Sequence, residues 1–168
     1  MLTVLSCRFK SIILFSSVLL GVSVTSFAHA DTSAACFNFL KEDYVRAEAE
    51  ATLLLKKRNL KPSEQRSAHL CLGRAYDGMG KSQDALAEYL QVEVLSQTIK
   101  DRADVYRILS YSYYELHELA RAELYGQFAF DEFTKLADKD GEISSLNFWA
   151  MAARQRGNQS GIEQALSL

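Results

Sequence analysis

From Asp31 onward, apolar residues recur at three- and four-residue spacing, strand-like alternation is almost absent, and Pro62 is the one proline of the chain. That spacing places the apolar residues on one face of successive helices and predicts an all-α chain. A short first helix runs from Thr32 or Ser33, either of which can cap it, to about Leu40. Lys41-Glu42-Asp43 then turns into a second helix over 42–57, whose apolar face carries Ala47, Leu53 and Leu54. Asn59-Leu60-Lys61 breaks the pattern. Pro62 opens a third helix, in the first turn where its missing N–H removes no hydrogen bond, and that helix reaches about Asp77. Gly78 and Gly80 reverse the chain, and Ser82 caps a fourth helix that continues to about Thr98. Asp101 caps a fifth helix through about Leu116. A long amphipathic helix follows from about Glu118 to Leu136, then a polar break at 137–142. SSLNFWAMAARQ, ending near Arg156, and SGIEQALSL supply the last helices.

The stretch 73–89, GRAYDGMGKSQDALAEY, reads as the inside of one helix–turn–helix. Leu72-Gly73, Tyr76, Gly80, Ala85 and Tyr89 put large and small residues where two antiparallel helices touch, with glycine at the reversal. The pattern recurs. Aligning the small residue that follows an apolar one makes Ala35, Gly73, Ser110 and Ala150 equivalent, at intervals of 38, 37 and 40 residues. Ala47, Ala85 and Ala122 each lie 12 residues beyond their small residue, where both helices need short side chains to approach closely.

This pattern resembles the tetratricopeptide repeat over nearly all of residues 33–168, with the second copy complete. The third copy keeps Leu109-Ser110, Tyr113 and Ala122 but has His117 in place of the turn glycine and Gly126 where an aromatic is usual. The first has Asn38 for the tyrosine, and the fourth has Ile162 at the small position. Degenerate end copies are expected, because a terminal repeat has one neighbour and faces water on its other side.

The resemblance implies a right-handed α-solenoid of three to four helical hairpins that acts as a non-catalytic scaffold, without a cofactor, and holds a peptide or protein segment in its concave groove. Carried over position by position, the groove consists of Leu70, Arg74 and Asp77 from the second copy, Arg107, Tyr111 and Tyr114 from the third, and Asn147, Met151 and Arg154 from the fourth. Arginine and tyrosine suit the capture of carboxylates, amides and apolar side chains. The alternative is that these are ordinary exposed helix residues, with Arg74 simply paired to Asp77 or to an acid one turn away. The carboxylate-clamp branch of the family is not implied, since Cys36 stands where its first asparagine would be. The other function class is structural: a subunit of an envelope complex, or a protein that associates with itself.

The first thirty residues stand apart. Arg8 and Lys10 precede the apolar run SIILFSSVLLGVSV at 11–24, followed by Ala28-His29-Ala30. This is the layout of a secretory signal cleaved before Asp31, giving a mature domain of residues 31–168 that is exported, with the periplasm as its expected compartment and secretion as the alternative. The run is shorter than the roughly 18–20 residues that cross a bilayer as a helix, so an uncleaved anchor is the lesser alternative. Cys7 precedes the run and so is no lipid-modification site following it.

Losing Arg8 and Lys10 with the leader leaves 17 of the 19 basic residues against 21 acidic ones, a shift in net charge from −2 to −4. Basic residues such as Lys56-Lys57-Arg58 alternate with acids, a solvated surface rather than a nucleic-acid footprint. Two cysteines remain, Cys36 and Cys71. In the repeat stack they fall on neighbouring first helices, so a disulfide is conceivable and two buried thiols are the alternative.

Chemistry-bearing patterns are sparse. His69 and Cys71 are two residues apart, which on a helix points them in different directions. His117, flanked by Glu115 and Glu118, reads as a turn residue with no partnered nucleophile. Asp138 and Asp140 suggest a calcium loop, but Leu136 and Asn147 occupy positions where an EF-hand needs acids, and an inter-helix loop is the better account.

Overall fold

The computed structural model describes residues 32–41 and 43–167, with residues 32–35 described in backbone only. The leader and its cleavage position lie outside the described residues. Eight helices fill the described part: α1 Thr32–Phe39, α2 Tyr44–Leu55, α3 Pro62–Gly78, α4 Ser82–Val94, α5 Ile99–Glu115, α6 Leu119–Lys135, α7 Lys139–Arg156 and α8 Gln159–Leu166. Each packs on the next, α1 also packs on α3, and α5 on α7. The result is an α-solenoid of four hairpins.

Four of the reversals share one backbone solution. The N–H groups of Lys81, Glu118, Asp138 and Asn158 donate to the carbonyls of Tyr76, Tyr113, Phe133 and Ala153, and the residue before each donor has positive φ: Gly80 at 72°, His117 at 59°, Ala137 at 54° and Gly157 at 75°. These are left-handed C-caps that satisfy the last carbonyls of a helix. Gly80, His117 and Gly157 each follow Gly73, Ser110 and Ala150 by seven positions, so the register is the same in the last three hairpins. Within hairpins, Gly73 lies against the Tyr89 ring, and the Ser110 hydroxyl donates to the Ala122 carbonyl at 2.8 Å.

The core runs through the middle of the stack. Ala85, Tyr89, Val92, Val105, Leu109, Tyr113, Ala122 and Ala152 are buried together, joining α4, α5, α6 and α7. Removing apolar area of this kind from water, at roughly 25 cal/mol per Å², is what holds helices that would be marginal alone. Gly126 lets α7 come closest to α6: a Cβ there would stand 3.0 Å from Trp149 Cα and 3.1 Å from its backbone nitrogen. The position where an aromatic is usual is therefore a contact point between hairpins.

Several boundaries differ from expectation. α4 ends at Val94 because Thr98 starts α5: its hydroxyl accepts from the Asp101 N–H at 3.1 Å, and the Asp101 carboxylate accepts from the Thr98 N–H at 3.3 Å. Asp101 is thus the reciprocal partner of the cap. Ser82 is the first helical residue of α4, and Lys81 precedes it without a side-chain cap. The polar stretch 137–142 is mostly the first turn of α7, because Asp138 caps it by accepting from the Gly141 N–H at 3.0 Å. On α2 the buried face is Ala47, Ala51 and Leu54, while Leu53 is 60% exposed. Residues 47, 51 and 54 share one helical face and 53 does not.

Candidate functional site

The hairpins are not evenly spaced. The first helices of neighbouring hairpins touch at α1–α3 and at α5–α7, yet no Cα of α3 comes within 8 Å of one on α5. The two are tied at one end, where the Arg66 guanidinium lies 3.2 Å from the Asp101 carboxylate and donates to Ser96 Oγ at 3.2 Å. Further along α3 they leave a cleft. It encloses about 280 Å³ and is lined by Arg74 and Asp77 from α3, Tyr89 from α4, Arg107, Ile108 and Tyr111 from α5, and Phe148 from α7.

Each lining residue has a local cause. Residues 74 and 77, like 107 and 111, are three or four apart, so each pair shares one helix face. Tyr111 and Phe148 face each other across α5 and α7 with ring centroids 5.6 Å apart, at an angle of 57°, within the range of favourable aromatic pairs. Arg74 Cζ lies 5.6 Å from the Phe37 ring centroid, so α1 supports it from behind. Tyr89 spans the cleft and the core: its ring packs against Gly73, and its hydroxyl donates to Asp77 Oδ2 at 2.5 Å.

The electrostatics follow from burial. Desolvation pushes the Asp77 carboxyl above its usual range, opposed by the Tyr89 hydrogen bond and Arg74 and assisted by Glu115. Burial and then Asp77 push the Tyr89 hydroxyl well above the normal tyrosine range. Burial also raises Tyr111, with Glu115 adding to it. Among the described residues, no carboxylate lies within 4 Å of Arg74 or Arg107. Arg74 is therefore not paired with Asp77, whose partner is Tyr89.

Of the nine groove positions expected from sequence, Arg74, Asp77, Arg107 and Tyr111 meet in this cleft. Leu70 and Tyr114 are half-buried and pack against the central core, because their hairpins fold over them. Asn147, Met151 and Arg154 lie elsewhere, with Ala150, Ile162 and Leu166 around a second cavity of about 420 Å³ between α7 and α8. These belong to the α7–α8 hairpin, away from the cleft between α3 and α5. The groove positions expected from sequence omit Tyr89, Ile108 and Phe148. Ile108 lies three residues before Tyr111, a spacing that shares its helix face and carries the signal, whereas Tyr89 and Phe148 reach the cleft from α4 and α7 through packing that no local pattern announces.

The remaining chemical candidates resolve into structure. His69 Nδ1 lies 2.6 Å from Glu88 on α4, and His117 occupies a left-handed turn. Among the described residues, no group of three or more His, Cys, Asp or Glu side chains could hold a metal ion, and no helix is long and apolar enough to cross a membrane. Cys36 and Cys71 face each other between α1 and α3 with their Cα atoms 6.3 Å apart, a separation that a disulfide can span.

No protein-family model matches the chain, and no curated protein matches it. Among solved structures, the crystal structure of MamA is similar to this chain at 17% identity, over 76% of this chain and 89% of that one, with a TM-score of 0.44. The fold assignment rests on the helix packing and shared turns described above.

Proposed function

We propose that this protein is a non-catalytic interaction scaffold that holds an extended peptide or protein segment in the cleft between α3, α5 and α7. The observation that carries this is the cleft itself, a gap where α3 and α5 part, walled by two arginines without acidic partners among the described residues and by the Tyr111–Phe148 pair. Binding sites combine apolar walls with a few convergent polar groups, and arginine and aromatic residues are over-represented where protein segments are held. The tetratricopeptide-like pattern supports the same reading. Replacing Arg107 and Tyr111 together will reduce recovery of crosslinked partner segments from the native compartment while far-UV circular dichroism keeps its helical signal. Unchanged recovery refutes the cleft as the binding surface.

The same proposal places the mature domain, residues 31–168, outside the cytoplasm in the periplasm. The basic-then-apolar leader supports this, as does the placement of Cys36 and Cys71, because disulfides persist in oxidising compartments. Non-reducing mass measurement of the exported protein will show two hydrogens fewer than the dithiol form; two free thiols overturn the bridge.

A second reading, assembly into an envelope complex or with another copy, is favoured by the cavity between α7 and α8, where Leu166 is 76% exposed. Light scattering after size exclusion separates the two. A stable oligomer that Leu166→Asp dissolves supports assembly, and a monomer supports the scaffold.

A further inference from the structure

We infer that the cleft selects a carboxylate carried beside an apolar side chain, the carboxylate held by Arg74 and Arg107 and the apolar group laid against Ile108, Tyr111 and Phe148. This rests on the reading of the cleft as a peptide groove and names what the groove recognises.

The first support is a contrast among the arginines. Arg66, Arg102, Arg121 and Arg156 each reach a carboxylate of this chain within 3.2 Å. Arg46, Arg58, Arg74, Arg107 and Arg154 reach none among the described residues, and of these five Arg107 alone is half-buried while the others are exposed. A guanidinium withdrawn from water without a counter-ion has given up hydration and gained no charged partner, and that is the position of Arg107. Arg107 and the exposed Arg74 open into one cavity of about 280 Å³, space on the order of nine water molecules. That admits a pair of side chains and excludes a folded domain.

The second support is the cleft's own acid. Among the described residues, Asp77 is the one carboxylate lining the cavity, and its Oδ2 already accepts the Tyr89 hydroxyl. It is held toward the scaffold, so the lining carries two free cations against one engaged anion. Arg74 is braced by the Phe37 ring, which leaves the planar edge of the guanidinium for the two parallel hydrogen bonds that carboxylates accept. On the apolar side, the inclined Tyr111 and Phe148 rings form a wall beside which an aromatic or aliphatic group loses water.

The experiment is fluorescence anisotropy of the purified protein with short labelled peptides. The parent peptide is amidated, with an internal Glu-Phe pair in a Gly/Ser background; its relatives carry Gln or Lys for Glu, or Ser for Phe. One further peptide ends in Phe with a free carboxylate and no Glu, which separates a side-chain source from a chain-end source. The Glu-Phe peptide will bind, and Gln for Glu will weaken it ~10-fold or more. Ser for Phe will weaken it as well, and added salt will reduce affinity. Arg107→Gln will weaken the Glu-Phe peptide ~10-fold and leave the Gln-Phe peptide unchanged, with Arg107→Lys recovering part of the loss. Circular dichroism of both variants controls for folding. Equal binding of Glu-Phe and Gln-Phe peptides overturns carboxylate selection while leaving the groove intact, and tighter binding of the Lys peptide overturns it in favour of Asp77. Absence of binding by every peptide removes both the selection and the groove.

Discussion

The Tyr89 hydroxyl donates to Asp77 Oδ2 at 2.5 Å, which makes a scaffold residue of α4 and a cleft residue of α3 one unit. Tyr89→Phe keeps the ring against Gly73 and removes only the donor. Chemical denaturation will show a loss of about 0.5–1.5 kcal/mol. The Asp77 carboxyl, already raised by burial, will titrate higher still once the opposing hydrogen bond is gone. An acid raised in the folded state stabilises it when protonated, and that stability is lost as pH rises through the folded pKa. A carboxyl titration followed by NMR that moves Asp77 downward in the variant contradicts the pairing.

Gly126 is where backbone meets backbone. Gly126→Ala puts its Cβ 3.0 Å from Trp149 Cα, which no side-chain rotation relieves. The variant will lose about 1–3 kcal/mol on thermal or urea unfolding, despite the better helix propensity of alanine. A neutral or stabilised variant would show that α6 and α7 are further apart than described.

His117 and Ala137 hold positive φ without being glycine, at 59° and 54°. Each carries a left-handed conformation that costs L-residues about 1–2 kcal/mol. His117→Gly and Ala137→Gly will therefore each stabilise the protein by up to about 1 kcal/mol, after the added freedom of the unfolded chain is subtracted. The reverse change at Gly80, with φ of 72° and no atom within 4 Å of the new Cβ, will destabilise through strain alone.

Glu132 is the acid whose pairing gives the fold a pH dependence of clear sign. Burial alone raises its carboxyl, but hydrogen bonds and charge from Lys135 and Arg102, which lie 3.1 and 3.2 Å away, bring it below the usual 4.5. A depressed folded pKa gives stability that is full above the unfolded value and is lost as pH falls through the folded one. Glu132→Gln will lower the urea midpoint at neutral pH, by about 1–3 kcal/mol in stability, and will narrow the gap between neutral and acidic measurements. A gap as wide as in the parent protein assigns the acid sensitivity elsewhere.

What the sequence disclosed divides along the range of the interactions. Helix number and the turns at Pro62 and Gly80 are local, written in periodicity and backbone constraint, and so is the pairing of small residues 12 apart, such as Ser110 with Ala122. The purpose of Gly126 depends on Trp149 in the following hairpin, and nothing local to α6 announces it. Equivalence of the groove positions from copy to copy requires even stacking. The gap between α3 and α5 breaks that equivalence, gathering Arg74, Asp77, Arg107 and Tyr111 while leaving Asn147, Met151 and Arg154 at the open end. Leu70 and Tyr114 share a helix face with cleft residues, and only packing decides that they turn to the core.

The recognition surface itself is tested most directly by backbone amide shifts in an NMR titration with the Glu-Phe peptide. The predicted result is a set of perturbations centred on Arg74, Asp77, Arg107, Tyr111 and Phe148, absent in the Arg107→Gln, Tyr111→Ala double variant. Perturbations centred on the outer faces of α4 and α6, on the α7–α8 cavity, or nowhere would contradict a binding cleft between α3 and α5.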